Sequence, residues 1–250
     1  MLLMLIISAL VVGISLGLLG AGGSILTVPA LILLLDMDEK TAITSSLLIV
    51  SLIALTGALS AFKQKLLVKK VLLWFALLSL PAASIGAQVG AWLPNGLQTI
   101  ILASIMLFAA KKLFHPSSIQ GAKILSVKQL VVAASITGFI TGLVGVGGGF
   151  LIVPALVLYA GLTMQQATAN SLVLIALNGA VAFFSLRVSG NALDLDWMVI
   201  LIMAGVGALA VLLGQKISHF LDQTILKRSF SILLLLVALS LMTQSINTFI

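Results

Sequence analysis

The sequence predicts an all-α polytopic membrane protein made of two inverted-topology repeats, and three observations carry that reading. The first is composition: 61% of the 250 residues are hydrophobic and only 8% are charged, with no charged side chain from Met1 to Leu35 or from Thr41 to Phe62. An ionised group costs roughly 3 kcal/mol or more at the bilayer centre, so such gaps are what spanning segments require. The second is an internal repeat. Gly17–Leu31 (GLLGAGGSILTVPAL) returns 125 positions on as Gly142–Leu156 (GLVGVGGGFLIVPAL), and eleven of the seventeen positions aligned between 17–33 and 142–158 are identical. The third is the placing of the basic residues, which gather in short clusters between apolar segments, as the positive-inside rule expects.

These observations also exclude several classes. The net charge of +7 reflects membrane topology rather than a nucleic-acid surface. The chain has no cysteine, which removes thiol redox chemistry, disulfides and thiolate metal sites. His115 and His219 stand in inter-helix segments without partners at ligand spacing, so neither a metal nor another cofactor is expected. The N-terminus has no basic n-region or evident cleavage site and reads as the first membrane segment. Gly20-Ala-Gly-Gly23 resembles part of a phosphate-binding loop, but it lacks the Gly-Lys-Ser/Thr sequence and a polar strand–helix unit.

In chain order, an apolar helix over 3–19 meets the cluster 20–23, which is poor helix because each glycine costs about 1 kcal/mol against alanine. The apolar piece 24–35 then reaches the acidic loop 36–39. At about 18 Å it is too short for a core of about 30 Å, which indicates a broken or re-entrant helix pair. Helices over 41–62, 71–92 (interrupted at Pro81) and 97–114 complete a first repeat, 1–114. A polar cytoplasmic linker, 115–127, joins it to a second, 128–250. That repeat comprises a helix over 128–142, a break at 145–149, a short piece over 150–160 and helices near 165–187, 196–217 and 223–245. Gly13-x-x-x-Gly17 and Gly86-x-x-x-Gly90 suit close helix packing. Trp74, Trp92 and Trp197 fall at interfacial depths.

Loop charges set the orientation. Lys63, Lys65, Lys69 and Lys70 place the loop after the second long segment inside. The link with Lys111, Lys112, Lys123 and Lys128 is also inside, and the loops at 36–39 and 94–96 are outside. Lys216, Lys227 and Arg228 put the last loop inside, opposite to its counterpart at 94–96. The halves are therefore expected to be inverted.

A helix that begins within the membrane presents unpaired N–H groups and the positive end of its dipole, and an anion can satisfy both. The candidate substrate-binding residues follow from the two breaks: Gly20, Gly22, Gly23 and Ser24, with Gly145, Gly147, Gly148 and Gly149. Uncharged donors on the returning helices join them: Ser45, Ser46 and Ser51 in the first half, Asn170, Ser171 and Asn178 in the second. The alternative role for these donors is bonding to their own or neighbouring helices. Gln88 and Gln215 are expected as buried structural amides.

The paired Gly-x-x-Gly-x-Gly-Gly…Val-Pro-Ala-Leu segments, each followed by Ala-x-x-x-Ser-Leu (Ala42–Leu47, Ala167–Leu172), resemble the sulfite exporter family TauE/SafE over nearly the whole chain. The resemblance implies an inner-membrane protein that exports a small inorganic or organosulfur anion. The copies differ at Ser24 against Gly149 and Ser45 against Asn170, which makes the half-sites chemically unequal. The leading reading is a secondary transporter working by alternating access. The alternatives are an anion channel and a non-transporting membrane partner protein. An enzyme is not expected, for want of a nucleophile–base pair. The partners are the anion and the lipid bilayer, not nucleic acid; a homo-oligomer is left open, because the sequence does not set the oligomeric state.

Overall fold

The computed structural model describes residues 2–20, 23–94, 96–114, 127–146, 149–189, 195–217, 231–232 and 234–243. Among these, the helices are α1 (Leu2–Leu19), α2 (Ser24–Leu35), α3 (Glu39–Lys63), α4 (Lys69–Trp92), α5 (Leu97–Phe114), α6 (Val127–Val144), α7 (Gly149–Ala160), α8 (Met164–Val188) and α9 (Trp197–Ile217). A further apolar helix, α10, covers Leu234–Thr243. Five of the described helices, α1, α3, α4, α8 and α9, are long and apolar enough to cross a membrane. Their outward faces agree: Leu73, Leu77, Phe184, Leu201 and Leu209 are each more than half exposed. Water would penalise such a surface, and lipid tails do not. Together these features make the chain a multi-pass membrane protein.

One expectation fails. Pro81 does not interrupt the third long segment, because α4 runs unbroken from Lys69 to Trp92 with Pro81 inside it. The Pro81 ring stands on an exposed face. Proline is tolerated in membrane helices where local adjustment re-satisfies the freed carbonyl, and a lipid-facing ring displaces no neighbour. Pro29 and Pro154 likewise lie within α2 and α7.

Repeat-related positions have matching local chemistry. Asp38 caps α3 by accepting from Lys40 N, and Thr163, 125 positions on, caps α8 in a box with Gln166. Asp36 ends α2 in the left-handed region (φ 51°), and Gly161 has φ 66° after α7. Met37 N donates to Leu31 O and Leu162 N to Leu156 O in the same closing turn.

The core is the crossing of α3 and α8. Ser51 Oγ donates to Ala176 O at 2.6 Å, Gly179 lies against Leu47 O, and Gly57 lies against Leu172. As residue numbers rise on one helix they fall on the other, so these equivalent helices run antiparallel. Small-residue seams add the outer pairs. Gly13 and Gly17 of α1 meet Gly207 and Val211 of α9, while Gly138 and Gly142 of α6 meet Ser79 and Ala83 of α4. Both seams are parallel, and each joins a helix of one half to a helix of the other. A hydrocarbon solvent gives no hydrophobic drive for such contacts, so close backbone approach supplies the dispersion energy instead.

The seams have a direct test. A Cβ at Gly142 would collide with the Ala83 carbonyl and stand 2.6 Å from Ala87 N, whereas nothing lies within 4 Å of one at Gly205. Gly142→Ala is expected to destabilise by about 1–3 kcal/mol through overpacking. Gly205→Ala, in the interior of α9, is expected to gain up to about 1 kcal/mol from helix propensity. Thermal unfolding in detergent reads both, and equal shifts would refute the packing account.

Candidate functional site

Two backbone breaks organise the interior. Gly20 and Gly145, equivalent in the repeat, end α1 and α6 with φ of 65° and 72°, a region that only glycine occupies at little cost. Each amide still donates back into its helix, Gly20 N to Leu16 O (2.8 Å) and Gly145 N to Thr141 O (3.0 Å). Each carbonyl has left the helix and takes a hydroxyl from the opposite half. Ser171 Oγ lies 2.6 Å from Gly20 O, and Ser46 Oγ lies 2.5 Å from Gly145 O. A Cβ at Gly20 would stand 2.8 Å from Thr168 Cα, and one at Gly145 2.8 Å from Ile43 O. The breaks are thus pressed onto the first turns of α8 and α3, respectively.

The antiparallel crossing sets their depths. Counting along α3 and α8 from the Ser51–Ala176 contact, the two breaks lie on opposite sides of it. They are separated by about ten helical residues, or about 15 Å.

Ser46 and Ser171 are therefore latches whose hydroxyls are committed to backbone, not open donors. Ser51 is likewise committed to Ala176 O. Asn170 sits on the α3–α4 connection, where its Oδ1 accepts from Val68 N (3.1 Å) and its Nδ2 donates to Gln166 O (2.7 Å) and Leu66 O (3.4 Å). Gly23 packs against α1, because a Cβ there would stand 2.5 Å from Leu16 N. That backbone contact gives this glycine an architectural task. Gly149 opens α7 and is buried. Gly22, Gly147 and Gly148 lie outside the described residues. Gln88 corrects its expectation: it is exposed and donates to Ser185 Oγ. Gln215 is half-buried and donates to Gly57 O.

Other polar atoms are buried without a partner. Ser45 Oγ, Thr27 Oγ1 and Asn178 Nδ2 belong to fully buried residues and find no acceptor or donor among the described residues. Asn178 is half satisfied, since its Oδ1 accepts from Ser79 Oγ at 3.0 Å. It neighbours Gly179 at the α3–α8 crossing, the middle of the bundle. Thr27 lies in the first turn of α2, whose N-terminus has no side-chain cap and whose residues Ser24 to Val28 are all buried. Each unmet polar group costs about 1–3 kcal/mol, so these atoms mark a place where a further partner would be favourable.

Sequence reasoning missed Thr27, although it is a lone polar residue within the apolar piece. It also missed an anchoring cluster at the start of α3. Glu39 accepts from Gly96 N, Thr99 N (2.7 Å) and Thr99 Oγ1 (2.6 Å), capping α5. Lys40 Nζ reaches Gly90 O, Leu93 O and Gln98 Oε1, each at 2.7 Å, capping α4. The signs suit both helix dipoles. Gln98 Nε2 then donates to Leu143 O at 2.6 Å, which ties the cluster to the end of α6 beside the second break. The only local signal was the adjacent pair of opposite charges. Among the described residues no group of three or more His, Cys, Asp or Glu could hold a metal ion.

Comparison with known proteins relates the chain to membrane transporters. The family model described as sulfite exporter TauE/SafE matches residues 5–241. A probable membrane transporter protein of Xylella fastidiosa (strain 9a5c) is 29% identical over 247 residues, 94% of this chain and 92% of its own. One from Bacillus subtilis (strain 168), YunE, is 26% identical with 97% of each chain covered. A probable membrane transporter protein of the archaeon Methanocaldococcus jannaschii is 25% identical over 92% of this chain and 90% of its own.

The latches make a symmetric prediction. Ser46→Ala and Ser171→Ala each strand a buried carbonyl, so each is expected to cost about 1–3 kcal/mol, with similar values for the two. Detergent melting curves check this, and a loss at one position alone would contradict the matched roles.

Proposed function

Because the chain belongs to the sulfite exporter TauE/SafE family, we propose that it is a secondary transporter that moves a small oxyanion or organosulfonate outward across the cell inner membrane by alternating access. The observation that carries the substrate reading is the buried start of α2, where the hydroxyl of Thr27 in the first turn finds no partner among the described residues. Helix N–H groups and the dipole there favour negative charge, and a hydroxyl adds a neutral donor. Asn178 Nδ2 offers a second donor at the level of the crossing. Neutral donors hold an anion without the deep well that a buried lysine would create, which leaves release possible. For an anion leaving a cell that is negative inside, the membrane potential contributes about 2.3 kcal/mol per charge per 100 mV, so export needs no coupled ion.

The topology belongs to the same proposal. Residues 1–114 and 128–250 form inverted repeats joined by a cytoplasmic linker at 115–127, and the antiparallel crossing of the equivalent helices α3 and α8 supports this. A two-fold axis that reverses a spanning helix lies in the membrane plane. The parallel sense of α1 with α9, and of α6 with α4, is what that axis requires. In this arrangement α1–α2 and α6–α7 are re-entrant pairs entering from opposite faces, and each glycine break lies short of the far side.

Two experiments test the reading. Thr27→Val is nearly isosteric and removes an unsatisfied hydroxyl, so folding stability is expected to hold or rise slightly. Sulfite counterflow in proteoliposomes is expected to need a higher half-saturating concentration. Wild-type protein should gain about 2.7 kcal/mol of stability at one hundred times the dissociation constant of its anion, and the variant less at the same concentration. A Thr27→Val protein with unchanged flux and ligand shift would remove α2 from the site. For topology, Trp92→Cys is expected to react with an impermeant thiol reagent on intact cells and Lys65→Cys only after lysis; the opposite pattern would invert the assignment.

A further inference from the structure

A cleft of about 550 Å³ opens between the C-terminal ends of α3 and α9, lined by Thr56, Ser60, Lys63 and Gln64 on one wall and Gln215 and Lys216 on the other. Among the described residues no carboxylate lines it. We propose that this cleft is the cytoplasmic intake site, where the two lysines gather a small oxyanion or sulfonate before it reaches the first glycine break. The proposal rests on the transporter reading above and adds a second, electrostatic site to it.

Three observations converge. The first is position. Gln215 Nε2 donates to Gly57 O (3.0 Å), and Gly57 lies against Leu172, next to the Ser171 that latches Gly20. A Cβ at Gly17 would stand 2.8 Å from Gln215 N, so the end of α1 forms part of the surroundings of the cleft. The inner end of the cleft is therefore the neighbourhood of the first break.

The second is charge. Lysine in the last turn of a helix complements the dipole, and a cytoplasmic lysine obeys the positive-inside rule; either role leaves a lysine free to point anywhere. Here two such lysines face one concave, partly apolar space walled also by Leu59 and Leu212. Low-dielectric walls focus the field of like charges and raise the local concentration of a counter-ion.

The third is the repeat-related end of the molecule. The contacts of α1 and α6 put residues of α4 in register with those 128 positions on in α9, as with Ser79 and Gly207 or Ala83 and Val211. The counterpart of the cleft is then bounded by Ser185, Val188 and Ser189 of α8 and by Ser84 and Gln88 of α4. It carries neither lysine, since Val188 replaces Lys63 and Gln88 replaces Lys216. It is also laced shut: Ser84 Oγ meets Ser185 Oγ at 2.8 Å, and Gln88 Nε2 donates to Ser185 Oγ at 2.9 Å. The cation of that end, Arg187, lies over the rings of Phe183 and Trp197 at 5.7 and 6.0 Å from their centroids. One end is open with two lysines on its walls, while among the described residues its counterpart is bridged by hydrogen bonds and its cation is stacked on aromatic rings. An exporter needs that polarity when it faces its source of substrate.

The cysteine-free chain allows a test that does not depend on flux. Ser60→Cys places a thiol in the cleft of purified protein in phosphatidylcholine vesicles. Its labelling rates with an anionic reagent, 2-sulfonatoethyl methanethiosulfonate, and a cationic one, the 2-trimethylammonioethyl analogue, are compared. Adding Lys63→Gln and Lys216→Gln is expected to lower the anionic-to-cationic rate ratio about fivefold or more at low salt. Each single substitution should give a smaller fall, so the result does not hang on the double variant. Millimolar sulfate or methanesulfonate, neither of which reacts with a thiosulfonate, should slow labelling only when the lysines are present. An unchanged ratio in folded, monodisperse variants overturns the proposal. So does protection by phosphatidylglycerol without protection by sulfate or methanesulfonate, which would make the cleft a seat for a lipid headgroup. Sulfite counterflow by the wild-type protein is scored separately: absent flux with the labelling pattern intact sinks the transporter reading and leaves the anion site standing, whereas normal flux with no lysine effect sinks the site alone.

Discussion

The structure depends on how a peptide carbonyl is satisfied when a helix stops inside the buried interior of a bundle. An unmet backbone group there costs several kcal/mol, which is why membrane-spanning segments are so rarely interrupted. The chain interrupts two, at Gly20 and Gly145, and meets the cost with one serine hydroxyl each. Neither serine is close in sequence. Ser171 must be carried to Gly20 by α8 and Ser46 to Gly145 by α3, so the crossing of those helices is the geometry that makes the breaks tenable. The parallel glycine seams of α1 with α9 and α6 with α4 then bring the broken helices close enough to be latched.

Around this symmetric frame the chemistry is unequal. Asn178 and Ser79 form a polar pair where the other half has Ile53 packed against Gly207. Thr27 opens α2, but Ile152 holds its place in α7. Glu39, Lys40 and Gln98 brace the second break through Leu143 O, whereas Met164 and Gln165 stand at the repeat-equivalent positions of the first two. The frame therefore has two ends of different rigidity and polarity. Two conformations that exchange those ends would not have equal energy, and any substrate would meet different half-sites as they interconvert.

Much of this was legible in the sequence because the signals were local. Apolar length gave the helices, with the starts of α3 and α8 to within two residues, and glycine density gave the breaks. Pro81 misled because its effect on a helix depends on whether the ring faces lipid or a neighbour, which local sequence does not encode. The donors near the breaks were located but their tasks were not. Ser45 and Ser46 are adjacent and chemically identical, yet one hydroxyl is latched and the other unpartnered, since a helix turns them about 100° apart onto different surroundings. Gly23 read as a point of substrate approach, and its packing on the α1 backbone, a second task, had no local signal. Glu39 read as a loop charge and Lys40 drew no reading, because their targets lie 50 to 60 residues away.

The exchanged latches bear on how the protein is made. During synthesis the first glycine break enters the membrane long before residue 171 exists, so its carbonyl must wait, hydrated or held by another protein, while more than half the chain is added. α1 lacks its final neighbours until α8 and α9 arrive, and α2 lacks one until α7 does. The first repeat is therefore not a subunit that folds and then docks; its interior is completed only from the second. Insertion machinery would have to shelter an unfinished hairpin through that interval. A chain cut in the connecting segment should still assemble, provided both pieces share the same stretch of membrane.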